Sequence, residues 1–221
     1  MRVETPEIYT DLERRLVTAQ LKSEERIKPA DLQQEYGVSA NTVREVLLRL
    51  SMVGLVDFEN QRGFRVAQVT TARRCDVARF RIMLEQEGVT LSMNHGGVAW
   101  ESRVSAAHHK LKHIETQVAR DGMIDVHMAL WSEAEVEFHE TLISACGSPL
   151  LRATYANVYV QFRQQMVGLE PNFSPPYFSE IVMEHQVIHD AALARDATAC
   201  RTAIANHLAR HVREEGMSSS R

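Results

Sequence analysis

From Thr71 onward the sequence carries helical apolar spacing and no stretch of the two-residue alternation that a half-buried strand needs. Six helical patterns run over about 71–94, 99–120, 127–146, 149–169, 178–195 and 197–214. They are separated by Asn94-His95-Gly96-Gly97, Arg120-Asp121-Gly122, Cys146-Gly147-Ser148-Pro149 and Pro171-Asn172-Phe173-Ser174-Pro175-Pro176, which are turn and breaker compositions. Amphipathic helices with no sheet to cover must bury their apolar stripes against one another. Residues 70–216 therefore read as one all-α bundle of six or seven helices, and 217–221 (Met-Ser-Ser-Ser-Arg) as a frayed tail.

Residues 1–69 obey a different pattern. Ile8, Leu12, Leu16 and Ala19 lie at helical spacing between Pro6 and about Leu21, with Thr5-Pro6 as cap and first turn. A charged connector, Lys22 to Lys28, follows. Pro29 suits a first helical turn, and Ala30 to Tyr36 forms a short helix stopped by Gly37. Ser39 caps the next helix, which carries Val43, Val46, Leu47, Leu50 and Val53 before Gly54. There the period changes. Leu55–Glu59 and Phe64–Ala67 read as two strands around Asn60-Gln61-Arg62-Gly63. Three helices and a hairpin are the outline of a winged helix-turn-helix, so the fold class is mainly α, with a winged helix first and a helical bundle second.

Composition narrows the function. At 221 residues and 25.1 kDa, with 44% hydrophobic and 24% charged residues, the chain can bury two ordinary cores. No apolar run approaches membrane-spanning length, and Met1-Arg2-Val3-Glu4 opens no signal-peptide core, so no membrane role is expected. Cys75, Cys146 and Cys200 are odd in number and far apart, which fits a reducing cytoplasm rather than a disulfide framework. The net charge is −4, and residues 1–70 hold ten Lys and Arg against eleven Asp and Glu, net −1. Any nucleic-acid contact must therefore be a small basic edge. Between Ala40 and Val66 there are four arginines (Arg44, Arg49, Arg62, Arg65) against Glu45, Asp57 and Glu59.

The segment Gly37-Val-Ser-Ala-Asn-Thr-Val-Arg-Glu-Val-Leu47 supplies the reading head. Gly37 suits the tight turn, and Val38 fills the space beneath it. Ser39, Asn41 and Thr42 put short polar groups at the leading end of the following helix, within reach of phosphates or base edges, and Arg44 lies one turn further on. At the hairpin tip Arg62 and Gly63 allow close approach to a backbone or minor groove. The structural alternative is an ordinary capped helix with solvated arginines.

This stretch through Leu50, with Gly54-Leu-Val and Arg62-Gly-Phe-Arg-Val66, resembles the recognition helix and wing of the GntR family of bacterial regulators, in its branch with an all-helical FCD-type domain. The resemblance extends over nearly the whole chain. It implies a homodimer that binds double-stranded operator DNA and answers to a small-molecule effector, commonly an organic acid that relieves repression. Departures are visible. The family usually has Arg where this chain has Ala40 and Pro where it has Thr42, and its Pro-Gly is absent between Ser23 and Pro29.

Ten histidines stand out. His108, His109 and His113 read as solvated on a polar helix face. Glu135 and His139 are four apart and share a helix face; His185 opens one amphipathic pattern and His207 lies on another. One carboxylate and three imidazoles would suit Zn²⁺, with Ni²⁺ or Mn²⁺ as neighbouring choices. Spacing alone leaves hydrogen-bonded core histidines as the alternative, since His185/His189 and His207/His211 are also i,i+4 pairs. The resemblance favours the metal. FCD domains commonly carry Asp-x-x-x-His, a His after Glu and a final His, and Glu135-Val-Glu-Phe-His139, Glu184-His185 and Asn206-His207 follow that order, with Glu replacing Asp.

Arg81-Ile-Met-Leu-Glu85 resembles a further family motif, with Arg81 cast as the partner of an effector carboxylate; its alternative is an ordinary i,i+4 ion pair. Arg163 and Asn206 are candidates of the same kind. Two other functions compete: a metal-dependent hydrolase and a winged helix that binds protein. Against the hydrolase, Glu137 projects to the far side of its helix from Glu135 and His139, leaving no dedicated base.

Overall fold

A computed structural model describes residues 5–169 and 173–212, the side chain of Asp125 apart. The chain divides into two compact units: Met1–Arg73 with Val160–Pro171, and Arg74–Tyr159 with Asn172–Arg221.

The first unit contains helices α1 (Thr5–Val17), α2 (Pro29–Tyr36) and α3 (Ala40–Met52) and strands β1 (Arg26–Ile27), β2 (Val56–Glu59) and β3 (Gly63–Val66). Thr5 already lies within helix α1 rather than capping it. Pro29 opens α2, and Gly37, at φ +66°, ends it in the left-handed conformation that glycine adopts without a Cβ penalty. Ser39 caps α3 by accepting a hydrogen bond from the Thr42 amide at 3.2 Å. The apolar stripes meet in one core of Ile8, Leu12, Leu16, Leu32, Val43, Val46, Leu47 and Leu50, closed by Ile27, Val56, Phe64 and Val66 of the sheet.

The sheet is antiparallel in the order β1-β3-β2, with Phe58 opposite Phe64 and Ile27 opposite Phe64 on its other side. Strand β1 corrects the charged-connector expectation for Lys22–Lys28. Two residues are too short to show a period, and Ile27 becomes a strand residue only because β3 offers it a free edge. The end of a later helix, α7 (Pro149–Leu169), also belongs to this unit. Gln164 Nε2 donates to Leu55 O at 2.9 Å, and Gln165 both donates to Gln68 O and accepts from the Thr70 amide, each at 2.9 Å. These bonds satisfy backbone groups at the end of the wing.

The second unit is helical among its described residues: α4 (Thr71–His95, from Arg74), α5 (Val98–Asp121), α6 (Ile124–Leu142), the first half of α7, α8 (Pro175–Leu193) and α9 (Ala197–Leu208), followed by a short 3₁₀ turn at Ala209–His211. Several boundaries differ from expectation. Helix α6 stops at Leu142, four residues early. Helix α8 starts on Pro175-Pro176, a pair read from sequence as a breaker, because a helix's first turn has no intrahelical use for the amide hydrogens that proline lacks. The last helical pattern reads to 214 in the sequence, but α9 stops at Leu208 and gives way to the 3₁₀ turn; residues 213 and 214, the tail 217–221 and Pro171-Asn172 lie outside the described residues. Helices α4 and α6 approach closely at Gly88, where a Cβ would come within 2.7 Å of Ile143. Arg195 ties the α4–α5 turn to the end of α8, donating to Gly96 O at 2.7 Å and pairing with Glu101 at 2.6 Å.

Two measurements check the first unit. Leu47→Ala, at a fully buried position, is expected to cost about 2–5 kcal/mol in a denaturant titration. Asp11 is half-buried: burial pushes its carboxyl up, and the Tyr36 hydroxyl at 2.5 Å with Arg14 and Arg15 more than reverses this, holding it below its ordinary value. A depressed folded value contributes stability above about pH 4 that disappears as pH falls through it. Asp11→Asn should therefore flatten the acid limb of the stability curve and leave its neutral region less stable.

Candidate metal centre and nucleic-acid interface

In the second unit α6, α8 and α9 each deliver one imidazole to a common point. His139, His185 and His207 are all buried, and one ligand nitrogen from each lies within 4.8 Å of the others. His139 Nε2 and His185 Nε2 are 3.4 Å apart. Two nitrogens on one tetrahedral zinc, at about 2.0–2.1 Å from the metal, would be separated by about 3.4 Å.

The other nitrogen of each ring is held by its own carboxylate. His139 Nδ1 meets Glu85 in a short contact, His185 Nδ1 meets Glu115 at 3.1 Å and His207 Nδ1 meets Glu184 at 2.8 Å. Carboxylates placed this way fix the tautomer with hydrogen on Nδ1, so the Nε2 lone pairs point at one another. Converging lone pairs repel unless a proton or a cation lies between them. Burial lowers the pKa of His139 despite Glu85, and lowers that of His207 further with help from His185 and His139. Burial would lower His185 as well, but Glu115 outweighs it and the value is raised. The lowered values keep the His139 and His207 rings in the neutral form that binds metal, and the donor set fits a borderline divalent ion such as zinc.

Glu135 stands at the edge of this cluster. Its Oε1 is 3.7 Å from His139 Nε2 and 3.5 Å from Arg81 Nη2, while its Oε2 accepts from the Tyr159 hydroxyl at 2.5 Å. Arg81 is fully enclosed, with Nε 3.3 Å from Glu85 and its guanidinium 4.6 Å over the Tyr159 ring. Among the other candidate ligand contacts, Asn206 is exposed beside His207 and Arg163 is buried in the first unit.

His108 corrects the solvated reading. It is 5% exposed, stacked on His189 at 4.3 Å and tilted against Phe138, and burial first, then His189 and His185, push its pKa down to about 4. Sequence reasoning also passed over Glu115. The signal was present: Val104, Ala107, His108, Leu111, Ile114, Glu115 and Val118 form one continuous buried stripe of α5, and an acid there needs a partner. Its partners are His185 and the Trp131 indole, which donates at 3.2 Å.

In the first unit, Asn41 and Arg44 are exposed at the leading end of α3. Ser39 and Thr42 hydroxyls are 2.9 Å apart, so both also serve the cap. The Arg44 guanidinium lies 5.3 Å over Phe58 of β2, whose ring is tilted against Phe64 at 4.8 Å; α3 and the wing are thereby joined by a cation–π contact. At the wing tip Arg62 pairs with Glu59 at 3.0 Å with three-quarters of its side chain exposed, and Gly63 takes φ +82°.

Comparison with known proteins matches residues 5–66 to the model described as bacterial regulatory proteins, gntR family, and residues 76–210 to the FCD domain. The chain is 34% identical to an uncharacterized HTH-type transcriptional regulator, BphR, of Paraburkholderia xenovorans over 87% of this chain and 77% of that protein. It is 26% identical to the HTH-type transcriptional repressor GlaR of Escherichia coli over 90% of each. The solved structure of E. coli McbR/YncC superposes with a TM-score of 0.79 at 22% identity, covering 96% of both chains, and shares the fold.

Thermal unfolding tests the imidazole cluster. Zn²⁺ at about a hundred times its Kd should stabilise the native state by about 2.7 kcal/mol, and His185→Ala should abolish that gain. A zinc-independent transition in the unaltered protein would refute the assignment.

Proposed function

The chain belongs to the GntR family of bacterial regulatory proteins and carries an FCD domain, and from that premise we propose a repressor that releases its operator when a small organic acid binds beside a resident divalent metal. It is a transcriptional regulator of the GntR/FCD type. The observation that carries the reading of its first half is the exposure of Asn41 and Arg44 on α3 and of Arg62 at the wing tip, beside a half-buried Gly63. Residues 1–69 act as the DNA reader, with Ser39 and Thr42 holding the leading turn of α3 in place, and residues 70–216 as the effector-binding and dimerisation domain. Repression is the sign suggested by GlaR, whose name records it for that protein.

Homodimerisation follows from energetics. One small reading head with a net charge of −1 over residues 1–70 gains little from counterion release, and two heads on a palindrome combine their contacts. His139, His185 and His207 would hold the metal, with Glu135 the nearest additional carboxylate; zinc is the choice that the all-nitrogen donor set favours. When bound, such an ion would supply an electrophilic point for an effector carboxylate. The chain's own contribution is orientation: Glu85, Glu115 and Glu184 aim the rings, and Arg81 lies between Glu85 and Glu135, where His139 and Arg81 together outweigh burial and hold the Glu85 carboxyl below its ordinary value. Effector binding lowers operator affinity by as much as the effector prefers the DNA-free state.

A gel-shift assay on the DNA upstream of its own gene and its neighbours tests the reading. Arg44→Ala is expected to weaken the specific complex by about 1–3 kcal/mol and to relax base preference at one position of each half-site. Arg62→Ala should weaken all sequences alike and reduce the salt slope by about one phosphate contact. Binding indifferent to both changes would mean that this edge is not the reader.

A further inference from the structure

The three imidazoles are unequally enclosed. His139 and His185 are 0% and 1% exposed, and the carboxylates behind them, Glu85 and Glu115, are both 0% exposed. His207 is 6% exposed, and the side chain behind it, Glu184, is 26% exposed. Beside that pair a depression of about 230 Å³ opens on the surface of α8 and α9, lined by Met183, Glu184, Val187, Ala203, Asn206 and His207 itself. One side chain thus lines a solvent-facing hollow and belongs to the metal cluster at once.

Glu184 is held in turn. Its Oε2 accepts from His207 Nδ1, and its Oε1 makes a short contact with Arg210. Arg210 is braced by Glu180 at 3.4 Å and lies 5.2 Å from the centroid of the Tyr177 ring. It sits in the 3₁₀ turn Ala209–His211, where backbone hydrogen bonds are poorer than in an α-helix.

We propose that this corner is the route by which the divalent ion enters and leaves the second unit, with Arg210 and Glu184 as positioning residues that hold His207 closed across it. The proposal rests on the metal reading above. Passage by His139 or His185 would require displacing a fully buried carboxylate, which costs several kcal/mol of unpaired buried charge. At His207 the supporting acid already touches solvent. When Arg210 swings out, two things happen together: Glu184 loses the brace that fixes it on Nδ1, and its negative charge is unmasked at the mouth of the hollow. An arriving cation then meets the Glu184 carboxylate and the Asn206 carbonyl before the His207 ring. Closing the Arg210–Glu184 contact restores the ring to the cluster.

Exchange kinetics on the full chain test this, with Co²⁺ as the probe, its visible absorbance as the signal and excess EDTA as the acceptor. Arg210→Ala is expected to speed uptake and release alike, by about tenfold for loss of one charge-assisted brace. The equilibrium constant should change less than either rate, because a gate alters both directions. Met183→Trp, at a position 63% exposed, should fill the hollow and slow both rates while every ligand and its supporting carboxylate is retained. If Arg210→Ala accelerates release alone, Arg210 strengthens the site and does not gate it. If Met183→Trp leaves both rates unchanged, the route lies elsewhere. A folded wild-type protein that takes up no Co²⁺ would overturn the metal reading and the route together; one that binds Co²⁺ with rates indifferent to both variants overturns the route alone.

Discussion

The second unit depends on three Nδ1–carboxylate contacts. Burying three imidazoles, with Glu85, Glu115 and Glu135, in the interior of a helical bundle would be untenable if each group had to shed water without a partner. The pairing of His139 with Glu85, His185 with Glu115 and His207 with Glu184 resolves this for one nitrogen of each ring. It also creates the next problem, since it turns all three Nε2 atoms toward one another. A cation at their meeting point would answer that second problem, so one arrangement gives both structural satisfaction and a place that could hold an ion. Arg81 serves the same economy on the far side of Glu85, where it also faces Glu135.

The first unit solves a different problem with fewer parts. An apolar cluster joins its three helices and its sheet, and much of its polar work is done at the ends of elements. Ser39 caps α3, Gly37 turns the chain before it, and the Arg44–Phe58–Phe64 contacts link α3 to the wing. Holding Arg44 over an aromatic face limits its rotamers without neutralising its charge, which leaves the guanidinium available to an anionic duplex. With so little net positive charge nearby, placement of individual cations matters more than their number.

Much of this was legible in the order of residues. Gly37, Ser39 and Gly54 mark helix ends through local chemistry, and the change of period after Gly54 marks the hairpin. The pairs Glu135/His139 and Glu184/His185 flag a polar cluster on otherwise apolar faces. Other features were illegible for identifiable reasons. Strand β1 is two residues long and exists through its partner. His108 and Glu115 lie on an apolar stripe, but a stripe does not announce which polar members are buried until the neighbouring helix is known. Pro175-Pro176 signals a breaker and a helix start equally well.

By itself, then, the sequence determined the kinds of element and their ends, because caps, turns and periodicity act within a few residues. Which acid stands behind which imidazole was decided only by tertiary structure: Glu85 and His139, or Glu115 and His185, are more than fifty residues apart and meet through helix packing. Local rules can supply a histidine; only the bundle can orient it.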